Sequence, residues 1–559
     1  MKNLKYIILT GSILLLLFNT ASSQFLVNRG RNIVIKPLSI LNIQGDYINK
    51  LDGNLICDGI INISGNWTNN AVAGNLMQGS TGTIDFRSTQ AQTIGGITPT
   101  WFPKLDISQG PGLVKLESDI NCDANLTISG RELLLNGNKI HAASYVNVST
   151  NGTLIADSGA VLEMEDGRQF QAISSATAAF LGSENSPANV RSSSGYYYFK
   201  IHYGADFQAE HTIFENMELD GLELYGTIDP LYAMHHCTFQ YGRTDGVLIT
   251  FNNPNTVTIN DARFPENTWG SNYNVTKLND EGRITFNEAI GNFAGEWFEN
   301  DPNNSVDWVN TQMVHEVVLS GGWSGFSSWV APEEQSMETM FASVNPELIF
   351  ITNLEGIYYP AQNINTIGLW ESHAAFIMKM QQESTLTIVA PPELNNVVQL
   401  NQGWTLMPVV SPVPLIADEL FSGISWTMEI VKEVAGTKVF WPAMGIYTLD
   451  EIHPAKSYLV RCADPIPTIF PTFPPTTGKD GYTSKPATNE VIQHPWNKMQ
   501  KTGVSHTIGF PQEIVAQFND GDVIGIFTPE GVCAGVAQVK PQQSFAITAF
   551  ADDPITEGL

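Results

Sequence analysis

A fixed step of about 25 residues constrains this chain more than any other feature. His211-Thr-Ile-Phe214, His236-Cys-Thr-Phe239 and Asp261-Ala-Arg-Phe264 align without gaps, each one step after the last. Asp220-Gly221 and Asp245-Gly246 keep the same step. A period of this size, with strand-forming residues, Gly and Asn turns and no helical pattern, predicts a β-solenoid. At about 3.3 Å per residue one coil is roughly 80 Å around, and the next stacks about 4.8 Å above it. Strand alternation then sets direction. If Phe214, Phe239 and Phe264 point inward, so do Thr212, Cys237 and Ala262, small residues beside large ones. By the same parity His211, His236 and Asp261 point outward, one above another.

Other short strand patterns surround this stretch. Ser39-Ile-Leu-Asn-Ile-Gln-Gly45 and Gly59-Ile-Ile-Asn-Ile-Ser-Gly65 alternate and close on Gly. Runs this short, with no helix between them, fit successive faces of a right-handed parallel β-solenoid over 24–310, of about eleven coils, the early ones shorter than the later step. Residues 172–194 are rich in Ala and Ser and read as an insertion or irregular coil.

The chain has 559 residues, too many for one ordinary core. Charged residues are 15% and hydrophobic ones 43%, which excludes a disordered chain. The net charge of −28 opposes nucleic acid and anionic membranes, and no basic run offsets it. No nucleic-acid partner and no membrane insertion are expected. Residues 1–23 read as a signal peptide: Lys2 and Lys5, an apolar core from Ile7 to Phe18, and small Ala21 and Ser23 before Gln24. The mature protein is therefore expected outside the cell or on its outer surface. Five scattered cysteines supply neither a disulfide framework nor a zinc site. Cys57, Cys122 and Cys237 read as core residues, and a Cys462–Cys533 bridge is left open.

A second repeat occupies 315–471. Gly322-Trp323 matches Gly403-Trp404, Phe341 matches Phe421, Tyr359-Pro360 matches Trp441-Pro442, and Phe376 matches Tyr458. The near-constant step of roughly 80 residues is the size of a small domain. These matches predict tandem β-rich (α+β) modules over 315–392 and 393–471, each with a short helix at 337–342 or 417–421. Residues 463–475, with Pro465, Pro467, Pro471, Pro474 and Pro475, read as a stiff, extended linker that continues over 472–490. A β-sandwich-like unit over 491–559 ends in what reads as a loop, so further strands are expected beyond it.

Gln92-Thr-Ile-Gly-Gly, Trp101-Phe-Pro-Lys-Leu-Asp-Ile-Ser, Val114-Lys-Leu and Asn125-Leu-Thr-Ile-Ser-Gly130 resemble a repeat of large surface proteins exported by the type IX secretion system. The tandem module and the last β unit resemble C-terminal regions of the same proteins. The resemblance implies a solenoid stalk, the export machinery as a partner and a sorting domain further on. It implies no activity.

Candidate sites are few. The column His211, His236, Asp261 would set side chains about 5 Å apart, within reach of a metal ion, a sugar, or a base-and-orienter pair. As a bland alternative it is an exposed polar ladder beside a turn, with His235 as a competitor. Lys200, Arg243, Arg263 and Arg283 share no common register at the solenoid step, and Asp229, Asp245 and Asp280 form no calcium motif, which disfavours a lyase. Trp323 and Trp404 could stack on sugars but read better as core anchors, as do Trp370, Trp426 and Trp441. Asn519-Asp-Gly-Asp522 reads as a hairpin turn. No cofactor is called for; calcium would have only Asp552 and Asp553. No phosphate loop, Ser/His/Asp order or metalloprotease motif is present. The preferred reading is a secreted or cell-surface display or adhesion protein that binds an extracellular glycan or a cell-surface protein without catalysis. The alternative is a solenoid polysaccharide lyase or glycoside hydrolase using His211, His236 and Asp261.

Overall fold

A computed structural model of the protein describes residues 20–23, 25–72, 76–265, 273–333, 336–371, 373–471, 496, 499–540 and 543–552. Lys2, Lys5 and the apolar run of the expected signal peptide lie outside the described residues, as do residues 472–490 of the linker. The expected start of that linker is instead the strand Ile466–Ile469, paired antiparallel with Val397–Leu400, since a proline is tolerated on an edge strand. Thr20–Ser23 forms a strand alongside Ile40–Ile43. The chain divides into two compact units, residues 1–311 and 312–559.

The first unit is a parallel β-solenoid. Its short strands stack into three main sheets of thirteen, ten and seven strands. Alternation decides the faces: in Ile60–Ile63 the second and fourth residues are buried and the first is exposed. Glycine permits the tight corners. A Cβ on Gly65 would lie 2.2 Å from the carbonyl carbon of Gly45 one coil below.

The coil length varies. Ile40 pairs with Ile60, whereas Phe170 pairs with Phe199, at the end of a much longer coil. The predicted step holds where Phe214 pairs with Phe239 and where Thr238 bridges Arg263. The three predicted phenylalanines form one buried stack, with ring centroids 5.7 and 5.5 Å apart and no exposed surface. Thr212, Cys237 and Ala262 are equally buried. Burying one such ring contributes about 1.5–3 kcal/mol. The Asp-Gly pairs behave differently. Residues 218–221 are bulged out of the strand Met217–Leu224, and Leu222 pairs with Ile249 rather than with Val247, which the predicted step would require. Asp245-Gly246 therefore does not stack on Asp220-Gly221. Nor is 172–194 irregular: it supplies the regular strands Thr177–Leu181 and Ala188–Ser192, because alanine fits where Phe180 and Phe199 already fill the coil.

The interior is not wholly apolar. Asn28, Asn49 and Asn69 are buried one above another, and the Asn49 amide donates to the Asn69 Oδ1 at 3.3 Å. Arg131 is also buried, and its guanidinium is held by neutral groups. It donates to the carbonyls of Gly112 and Phe86 at 2.8 and 2.9 Å and to the Gln92 Oε1 at 2.7 Å. Gln92 in turn donates to the Gly65 carbonyl at 2.6 Å. The first residue of the Gln-Thr-Ile-Gly-Gly motif is thus a buried link between coils. Near the unit's end, Trp308 Nε1 donates to Glu299 at 2.7 Å.

The second unit is built from antiparallel sheets. One five-stranded sheet runs Gly322–Ser327, Ala375–Met380, Leu348–Thr352, Ile357–Tyr359, Ile364–Asn365 in spatial order. Another repeats that order with Gly403–Met407, Tyr458–Cys462, Met428–Glu433, Val439–Trp441, Ile446–Tyr447. Each carries a short helix, Met337–Met340 or Ala417–Phe421. Each also has a Pro-initiated 3-10 turn ending on a left-handed residue, Asn363 or Gly445. Each sheet has its own core. A small cluster around Ile377, Val434 and Ala435 joins them. Ser327 Oγ donates to the Lys456 carbonyl at 2.6 Å and Ser457 Oγ to the Phe376 carbonyl at 2.8 Å. The last segment adds the antiparallel pairs Ser505–Phe510 with Phe545–Phe550 and Val523–Phe527 with Cys533–Gln538.

Several expectations fail here. Trp404 is 46% and Trp426 69% exposed, so neither is a core anchor, although Trp370 is buried. The Gly-Trp strand lies at the sheet edge, where Trp404 covers Lys432 with its ring 5.6 Å from Nζ. Trp323 packs edge-on against Phe350. Asn519–Asp522 is no hairpin; it turns the chain from the helix Gln512–Val515 into the strand Val523–Phe527. All five cysteines are free and buried, so Cys462 and Cys533 are not bridged.

Candidate functional site

The predicted column exists, and its backbone explains why. His211, His236 and Asp261 each occupy a corner between two strands, at φ of 42°, 55° and 53°. The series continues in Glu288 and Asn310, at 55° and 54°. Left-handed corners favour Asn, Asp and His among non-glycine residues. Each corner N–H is bonded to the next coil: His211 to the His235 carbonyl, His236 to that of Asn260, Asp261 to that of Asn287, at 2.9–3.0 Å.

The side chains meet. The two imidazoles stack with centroids 4.5 Å apart at 8°, and His236 Nδ1 lies 3.3 Å from Asp261 Oδ2. The His236 and Asp261 side chains are 41% and 30% exposed, so the pair contributes at most about 1 kcal/mol. Chemically this is a carboxylate orienting an imidazole on an outward corner.

A groove of about 380 Å³ lies beside the column, lined by Pro230, His235, Thr258, Asn260, Arg283 and Thr285 among others. Its wall is a bulge. Phe207 pairs with Ile228 and Ala209 with Ala233, so residues 229–232 are squeezed out of the strand. Asp229 stabilises that bulge by accepting the Leu231 N–H at 2.9 Å. His235 faces Asn260, whose backbone N–H donates to His235 Nδ1 at 3.1 Å. Arg283 pairs with Asp307 through Nε and Nη2. Those hydrogen bonds raise its guanidinium further above its ordinary value, so it is no base. No Phe, Tyr or Trp lines the groove among the described residues. Two other basic candidates are likewise paired, Lys200 with Glu223 at 2.7 Å and Arg243 with Glu218 at 2.6 Å.

The calcium candidates do not converge. Asp552 is exposed, and Asp553 lies outside the described residues. Among the described residues no three His, Cys, Asp or Glu side chains are placed to hold a metal. No helix among them is long and apolar enough to cross a membrane.

Two surface groupings escaped the sequence reading. Glu163 is nearly buried on the seven-stranded sheet, in register with His141 and Arg191. Burial opposes its ionisation, but donors from Arg191, Lys139 and His141 outweigh that and hold its carboxyl below the ordinary value. The second grouping is a polar column along the outer face of the thirteen-stranded sheet. Asn42, Asn62, Asp85, Asp106, Thr127, Asn147, Gln171, Lys200, Glu223, Thr250 and Thr276 pair in unbroken register. Unequal coils hide both groupings from any fixed-period search: Asn42 to Asn62 is a short coil and Gln171 to Lys200 a long one. Compared with known proteins, the chain matches no family model, no curated protein and no solved structure.

Proposed function

We propose that this is an exported surface or secreted display protein whose solenoid binds extracellular glycan without cleaving it. The observation that carries the reading is the contrast between two surfaces of the solenoid. The His211–His236–Asp261 column sits on an outward corner as ring-stacked turn residues, beside a groove whose arginine is committed to Asp307. A catalytic site requires converging titratable groups in a cleft. The thirteen-stranded sheet instead presents an ordered column of amides, hydroxyls and paired charges, the side-chain chemistry that hydrogen-bonds sugars. Export rests on the N-terminal pattern of charge, apolar run and small residues, and on the type IX resemblance.

The second reading, a lyase or hydrolase, draws on the His236–Asp261 contact next to the groove. Incubating the purified protein with a polysaccharide panel separates the two. Retention on a glycan column with no new unsaturated or reducing ends is expected. Release of such ends by the wild type, lost in His236→Ala, overturns the non-catalytic reading.

A further inference from the structure

On the outer face of the thirteen-stranded sheet, three exposed tyrosines border the polar column. Tyr198 and Tyr145 are each 41% exposed and Tyr203 is 64% exposed. Tyr198 pairs with Gln169, and the register Val146 to Phe170 sets Tyr145 one coil further along. The two rings therefore stand two coils, roughly 10 Å, apart on one margin. Tyr203 and Tyr225 form the other margin, edge to face at 5.4 Å. Between the margins the Gln171 amide donates to Asn147 Oδ1 at 2.7 Å, and Lys200 Nζ bonds Glu223 at 2.7 Å. The Lys200 ammonium also lies 4.6 Å from the Tyr225 ring centre.

Resting on the glycan-binding reading above, the geometry points to this face, bounded by Tyr145, Tyr198, Tyr203 and Tyr225, as the binding site for a neutral polysaccharide strand lying along the solenoid axis. Aromatic faces cover the apolar faces of sugar rings, and amides satisfy their hydroxyls. Two coils match about two linked hexoses, so consecutive rings on one margin can stack on alternate sugars of a single strand. Charge selects the occupant. Glu223 neutralises Lys200, burial and then Lys200 itself lower the basicity of His202, and a chain of net charge −28 repels polyanions.

The test uses the full-length protein on columns of cellulose, β-1,3-glucan and mannan, with alginate as the polyanion. Retention on at least one neutral glycan and none on alginate is expected. The Tyr145→Ala/Tyr198→Ala double variant should weaken retention by about tenfold or more. Tyr198→Phe, which keeps the ring, should stay within about twofold, and Arg283→Ala in the groove should bind like wild type. Neutral-glycan retention unchanged in the tyrosine double variant, with native circular dichroism, overturns this site and leaves the glycan-binding reading standing. Retention on alginate alone overturns the neutral occupant, and no retention on any column overturns both.

Discussion

The two units solve the same problem, a core built from short strands, in opposite ways. In the solenoid each strand pairs with its counterpart one coil away, and the core continues from coil to coil. In the second unit each five-stranded antiparallel sheet packs on a separate core of its own. A coil is stabilised by its neighbours, so damage stays local and stability is nearly a sum of nearest-neighbour contributions. A sheet packed on its own core is expected to respond as one cooperative body. The difference explains why the long surface columns belong to the first unit: stacking copies in register repeats every outward position.

Removing a core ring gives the sharpest test of this contrast. Phe239→Ala and Phe376→Ala should each cost about 3–5 kcal/mol, since both rings are fully buried among other aromatics. Hydrogen exchange should show Phe239→Ala loosening the coils that hold Phe214 and Phe264. Phe376→Ala should loosen all five strands of its sheet together. Loss of protection spread evenly over residues 26–309 in the first variant would break the comparison.

A smaller effect probes what links coils besides apolar packing. Arg131→Met should cost about 3 kcal/mol, because the Gly112 and Phe86 carbonyls and the Gln92 amide lose a charged donor inside the coil. Chemical denaturation reads this directly. A neutral result would show that the buried network adds little to the stacking of coils.

The mildest test is pH, and the units should respond with opposite sign. Burial pushes the His315 imidazole in the second unit down to about 4. The unfolded chain takes that proton first, so His315's contribution is present above about pH 6.5 and is lost as pH falls through 4. In the solenoid, burial foremost pushes the Glu299 carboxyl up to about 8, with Glu296 adding repulsion and Trp308 opposing. Its contribution is present below about pH 4.5 and is lost as pH rises through 8. Segment-resolved exchange from pH 4 to 9 should show the strand Met313–Leu319 loosening at the acid end and Glu299–Asn300 at the alkaline end. His315→Phe should abolish the first trend alone.

Residue order was enough to read the first unit as a parallel solenoid, to name the residues of its Phe stack, and to set His211, His236 and Asp261 in one column. Those follow from a local rule: strands alternate, and copies one coil apart superpose when the intervening turns have equal length. The rest depends on how the coils stack in three dimensions. Unequal turns, with bulges at 218–221 and 229–232, determine which distant residues become neighbours. Tyr145 and Tyr198 share a margin only because two coils of different length, Val146 to Phe170 and Phe170 to Phe199, lie between them. Trp404 is exposed because its strand sits at a sheet edge, and no spacing within one sequence records which strand lies outermost.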